Sequence, residues 1–124
     1  MNALVDDPNS NNTITSYGPG WIMIAQRKIN NPCVVTRTTL TTDSLPSNIT
    51  NLGMQNIEPI VSMSPEVVII GTGEKQLFLD QKISSILTNQ RIGVEYMDTA
   101  AACRSFNILL AEERSVVGIF YMIV

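Results

Sequence analysis

No histidine occurs among the 124 residues, which removes the commonest general base, the commonest zinc ligand and every Ser-His or Cys-His mechanism. Cysteine is almost as scarce. Cys33 and Cys103 stand far apart and make no disulfide framework, so both are expected to be reduced thiols. Charge is thin too: eleven acidic and eight basic residues leave a net charge of −3. The Arg and Lys residues are scattered, which argues against nucleic acid as a partner. Long apolar runs are missing. The longest, residues 116–124, has nine residues, whereas a membrane-spanning helix needs about 20. The stretch Met1 to Pro8 is acidic and breaks at proline, unlike a secretory signal or a mitochondrial presequence. A cytoplasmic, bacterial location is therefore the default expectation. The two glycosylation sequons, at Asn11 and Asn48, are read as chance matches.

Apolar residues make up 44% of the chain against 15% charged, enough to fill one core in a chain of single-domain length. Residues 1–16 are rich in Asn, Asp, Ser and Thr, which predicts a flexible leader ahead of one domain over 17–124. In that domain Gly18-Pro19-Gly20 reads as a turn, Trp21–Ala25 as a strand, Asn30-Asn31-Pro32 as punctuation and Cys33–Thr38 as a second strand. The two strands are expected to pair as an antiparallel hairpin. Residues 41–56 give little periodic signal, and a short helix is expected near Ile57–Met63.

From Pro65 onward strand and helix alternate. Val67–Ile70 is apolar and β-branched throughout, as suits a strand buried on both faces of a parallel sheet. Residues 80–90 place Ile83, Ile86 and Leu87 on one helical stripe, with Gly93 as the stop. Val94–Met97 is the next strand, and Asp98 or Thr99 the natural cap of a second helix. Ala102, Phe106, Leu109 and Leu110 share a face of that helix, and residues 116–124 close the pattern as a strand. Right-handed crossovers over a sheet, and hence an α/β domain, are the expectation.

No arrangement of residues forms a recognised catalytic or metal-binding constellation, and no cofactor is expected. The ligand candidates are Gly71, Thr72, Gly73, Asp98, Thr99, Cys103 and Asn107. Gly71-Thr72-Gly73 follows a buried strand, where phosphate-binding loops sit, but it lacks the third glycine of a dinucleotide fingerprint and the Gly-Lys-Ser/Thr of a P-loop. Asp98-Thr99 offers a carboxylate and a hydroxyl beside a helix start, or simply a cap. Cys103 has Arg104 as neighbour, which would lower the pKa of an exposed thiol; the alternative is a small core residue. Asn107 is disfavoured inside a helix, which points to an amide that satisfies a neighbouring backbone group. Tyr17 and Trp21 flank Gly18-Pro19-Gly20 as partner-binding candidates, with half-buried packing as the alternative.

Pro65-Glu66-Val67-Val68-Ile69-Ile70-Gly71-Thr72-Gly73, then Gly93-Val94-Glu95, then Met97-Asp98-Thr99 through Asn107-Ile108-Leu109-Leu110-Ala111-Glu112-Glu113-Arg114, resembles the family called domain of unknown function 498. That family includes the mitochondrial respiratory complex I assembly factor 3 and many bacterial and archaeal relatives. The resemblance spans about residues 14–124. It departs from the family's pattern at Ser105 and Phe106, where Thr and Tyr are typical, and at Glu113, where Gly is typical. It implies a three-layer α/β fold: a mixed central sheet, helices on its faces and a small additional β layer. It also implies no established catalysis, and action through protein partners, with respiratory-complex subunits among the candidates and a homo-oligomer allowed.

Two readings follow. The first, favoured by the missing histidine, the lack of paired carboxylates and the resemblance, is a non-enzymatic interaction or assembly factor. The second is a small-molecule or anion binder, or an enzyme, using a crevice between Gly71-Thr72-Gly73 and the Asp98-Thr99 helix start. A thiol-based redox role at Cys103 stands third.

Overall fold

A computed structural model describes residues 5–6 and 11–124. Its elements in chain order are β1 (Val5–Asp6), β2 (Ile14–Gly18), β3 (Trp21–Ile24), β4 (Arg27–Ile29), β5 (Cys33–Val35) and β6 (Thr39–Thr41), then a 3₁₀ turn (Ile49–Asn51). After these come α1 (Met54–Val61), β7 (Val67–Thr72), α2 (Gln81–Asn89), β8 (Gly93–Met97), α3 (Thr99–Ala111) and β9 (Val116–Tyr121). Six strands form one mixed sheet in the order β1-β6-β5-β9-β7-β8, and β2-β3-β4 form a small antiparallel sheet. β7 runs parallel to both β8 and β9, whereas β5 is antiparallel to β9. This is the three-layer α/β architecture that the family resemblance implied, and the α/β class that the strand-helix alternation implied.

Two apolar clusters hold the layers together, one on each face of the large sheet. Successive side chains of a strand point to opposite faces, and β7 supplies both clusters. Val68 and Ile70 join Ile57 and Ile60 of α1, Ile83 and Leu87 of α2, and Ile119. Val67 and Ile69 join Ala102, Phe106 and Leu110 of α3, Ile22 and Ile24 of the small sheet, and Phe120. The rings of Phe106 and Phe120 meet edge to face at 5.6 Å, a favoured aromatic geometry. The uninterrupted apolar run of β7 is thus accounted for: all six of its residues are buried.

The expected hairpin between Trp21–Ala25 and Cys33–Thr38 is not formed. Ala25 and Gln26 adopt positive φ angles of 51° and 90°, the signature of a two-residue turn matched to strand twist. The chain therefore reverses between Ile24 and Arg27, and β3 pairs with β4 and with β2. No Asn-Gly or Asp-Gly marks this turn in the sequence. Cys33–Val35 is buried at every position and takes a central place between β6 and β9. Of the residues assigned to the leader, 11–16 carry the start of β2 and bury Asn12 and Ile14. The earlier part of the leader, except the backbone of Val5–Asp6, lies outside the described residues.

Helix ends also differ from the expectation. Gly93 opens β8 and does not stop α2; the stop is Arg91, at φ 62°. The amide of Ile92 donates to Leu87 and that of Arg91 to Thr88, the two bonds of a Schellman cap. α3 ends in the same way. Glu113 sits at φ 58°, the Arg114 amide donates to Leu109 and the Glu113 amide to Leu110. Glycine favours that backbone conformation, which gives a physical reason for glycine at position 113 in the family pattern.

Candidate functional site

Gly71-Thr72-Gly73 and Asp98-Thr99 meet at the carboxyl ends of β7 and β8, but each occupies the other. The Thr99 hydroxyl accepts from the Gly73 amide at 2.8 Å and donates to the Tyr121 carbonyl at 2.6 Å. The Thr99 amide donates to the Gly73 carbonyl at 2.8 Å. Thr99 is fully buried. A Cβ on Gly71 would lie 3.0 Å from the Thr99 hydroxyl, 3.1 Å from the Ala102 methyl and 3.2 Å from the Phe120 ring, so glycine lets α3 close onto β7. Thr72 turns its hydroxyl into its own loop, where it contacts the Lys75 carbonyl at 2.6 Å and accepts from the Leu77 amide at 3.1 Å. Asp98 caps α3 by accepting from the Ala101 amide at 2.9 Å.

Cys103 is buried among Ile69, Phe106 and Phe120 in the cluster that also holds Cys33. Burial pushes the Cys103 thiol up to about 12; Arg104 opposes this and Asp98 adds to it. Cys33 is likewise pushed up to about 12, by burial first and by Cys103 second. A thiol held this far above neutral pH supplies almost no thiolate. Asn107 pairs with both backbone groups of Ile14: its amide donates to the carbonyl at 2.7 Å, and its oxygen accepts from the Ile14 amide at 2.8 Å. The side chain stands where a neighbouring strand would, and ties α3 to the small sheet.

A depression of about 450 Å³ does touch the glycine loop. Thr72, Gly73 and Glu74 line it together with Asn48 and Tyr121, at the end of the parallel strands where α/β folds bind ligands. Asp98, Thr99, Cys103 and Asn107 do not line it. Among its lining residues Glu74 is the one charged side chain, so the lining suits an uncharged polar group better than an anion. Among the described residues no His/Cys/Asp/Glu cluster could hold a metal ion.

Tyr17 and Trp21 project from opposite faces of the small sheet. Tyr17 is directly opposite Ile22, which is buried, and its hydroxyl accepts from Arg104 of α3 at 3.1 Å. Trp21 pairs with Gly18 on the outer face. Its indole lies so close over Gly18 that a Cβ there would come within 2.8 Å, and the Lys28 ammonium sits 5.2 Å from its ring centroid. Met23 and Lys28, paired across β3 and β4, share this outer face. Sequence reasoning named Trp21 and missed Met23 and Lys28, whose alternation from the buried Ile22 and Ile24 was the available signal.

A family model for a protein of unknown function, DUF498/DUF598, matches residues 14–121. The chain belongs to this family. A 13 kDa major membrane protein of Francisella tularensis subsp. holarctica (strain LVS) is 28% identical over 101 residues, which cover 81% of this chain and 82% of that protein. The NADH dehydrogenase [ubiquinone] 1 alpha subcomplex assembly factor 3 of Xenopus tropicalis is 28% identical over 103 residues, 82% of this chain. The chain spans 56% of that relative's length. Among solved structures, the crystal structure of a Bordetella parapertussis protein shares 29% identity and a TM-score of 0.84, covering 93% of this chain and 98% of that one. Among the described residues no helix of this family member is long and apolar enough to cross a membrane.

Proposed function

We propose that this chain is a non-enzymatic protein-interaction factor that serves the assembly of a larger complex, acting in the bacterial cytoplasm, with respiratory-complex subunits as the leading partners. The observation that carries the reading is the outer face of the small sheet. There Trp21 is laid flat on Gly18 beneath Lys28, with Met23 beside it, on a sheet whose other face is core. Trp and Met are enriched in the centres of protein interfaces, and a half-buried Trp held in place loses little entropy on binding. Relatives named as assembly factors support a role through partners, while Thr99 and Asn107 spend their side chains on hydrogen bonds to backbone and Cys103 is buried in the core.

Affinity purification of the tagged chain from its native cell, with a Trp21→Ala variant alongside, tests this. Stoichiometric recovery of one complex subunit by the parent, and its loss from a variant with unchanged circular dichroism, is the expected result. Equal recovery by the variant would remove the outer face from the interface. A second reading is a small neutral ligand in the depression beside Thr72 and Gly73, favoured by its place at the strand ends. Recovery of the chain alone, releasing a small molecule on denaturation, would move the weight there.

A further inference from the structure

β8 is the last strand of the six-stranded sheet and pairs on one side only, with β7. The two sides of this strand can be told apart by their hydrogen bonds. The Gly93 amide donates to the Glu66 carbonyl and the Met97 carbonyl lies 3.2 Å from the Thr72 hydroxyl oxygen, so residues 93, 95 and 97 present their backbone toward β7. Val94 and Tyr96 then point theirs outward. The outward carbonyl of Tyr96 is met at 2.8 Å by the side-chain amide of Gln76, the chemical equivalent of a peptide N–H.

Two side-chain features flank this edge. On the α2 face, Phe78, Ser84, Ser85, Thr88 and Tyr96 line an uncharged depression of about 580 Å³. Phe78 is 79% exposed there and stands edge-on to Tyr96 at 6.4 Å, while the Tyr96 hydroxyl is bonded to Ser84 at 2.5 Å. On the opposite face Glu95 is exposed, and among the described residues its carboxylate has no hydrogen-bond or ion-pair partner. A second copy related by a two-fold axis through Glu95 would set two carboxylates opposite each other, which is unfavourable across strands.

We infer that the β8 edge takes an extended segment of a partner protein as an added strand, with a Lys or Arg opposite Glu95 and an apolar or aromatic residue against Phe78 and Tyr96. This deepens the partner-binding reading and rests on it, on a surface separate from Trp21. Strand addition uses backbone bonds for affinity and alternate side chains for selection. Gln76 is then an internal competitor that holds the Tyr96 carbonyl until the strand arrives and shields an otherwise open edge.

The test is selection of random dodecapeptides on the purified full chain, followed by affinities for Phe78→Ala, Glu95→Lys and Gln76→Ala. All three side chains are exposed, so the fold should survive each change. The expected peptides carry a basic residue one position from an apolar one and shift the Val94 and Tyr96 amide resonances. They should bind about tenfold more weakly to Phe78→Ala and Glu95→Lys, and more tightly to Gln76→Ala. Glu95→Lys should select acidic peptides instead. Peptides indifferent to all three variants, or no selection at all, overturn the inference while the Trp21 purification still judges the partner reading by itself. A dimer cross-linked through β8 would put a second copy on the edge and overturn it as well.

Discussion

Replacing Thr99 by valine keeps the shape of the side chain and deletes one hydroxyl. In the protein that hydroxyl accepts from the Gly73 amide and donates to the Tyr121 carbonyl, at a position with no exposure to water. The substitution leaves one buried donor and one buried acceptor unpaired, each at about 1–3 kcal/mol. Because the Thr99 amide still donates to the Gly73 carbonyl, the loop stays anchored and the loss should fall near 2–4 kcal/mol. A chain of this length unfolds with an entropy of roughly 0.26 kcal/mol/K, so the melting temperature should drop by ~8–15 °C. Urea titration followed by circular dichroism, with Thr99→Ser as the control that keeps the hydroxyl, measures this directly. A loss under about 0.5 kcal/mol, or a serine variant as unstable as the valine one, would refute the view that Thr99 is a structural clasp.

Asn107→Leu removes both bonds to the backbone of Ile14 and should cost about 2–4 kcal/mol, with hydrogen exchange at the Ile14 amide rising more than at Ile69. Glu113→Gly relieves a left-handed conformation worth about 1–2 kcal/mol against the greater unfolded-state entropy of glycine, so the urea midpoint should rise by a net ~0.5–1 kcal/mol with an unchanged slope. Cys33 and Cys103, each raised from 9.0 to about 12, bind their protons more tightly folded than unfolded. Their contribution is therefore complete below pH 9 and is lost as pH rises toward 12. Stability measured between pH 7 and pH 11 should show that decline, and native protein at pH 8 should resist iodoacetamide until urea is added.

The second half of the fold was legible because its signals are local and agree with one another. Val67–Ile70 suits a strand covered on both faces, and Asp80 and Asp98 each cap the helix that the apolar spacing had already outlined. The first half was harder to read because its signals depend on backbone conformations adopted by ordinary residues. Ala25 and Gln26 turn the chain without glycine, and Ile14 is buried although polar residues surround it in sequence. The candidate site was legible as a place and not as a state. Spacing put Gly71-Thr72-Gly73 and Asp98-Thr99 at neighbouring strand ends, but only three dimensions show that the Thr99 hydroxyl fills the space between them. The outward backbone of β8 left no mark in the sequence, since edge position is a property of strand order.

β9 sits between β5 and β7 in the large sheet, yet it follows both of them along the chain. Before residues 116–121 leave the ribosome, β5-β6 and β7-β8 share no edge, and the two apolar clusters lack the strand that contributes Ile119 to one and Phe120 to the other. The pairs β5-β6 and β7-β8 become parts of one sheet only through β9. Both of its pairings reach far back along the chain, to residues 33–35 and 67–72, and contacts of that kind raise the contact order that slows folding.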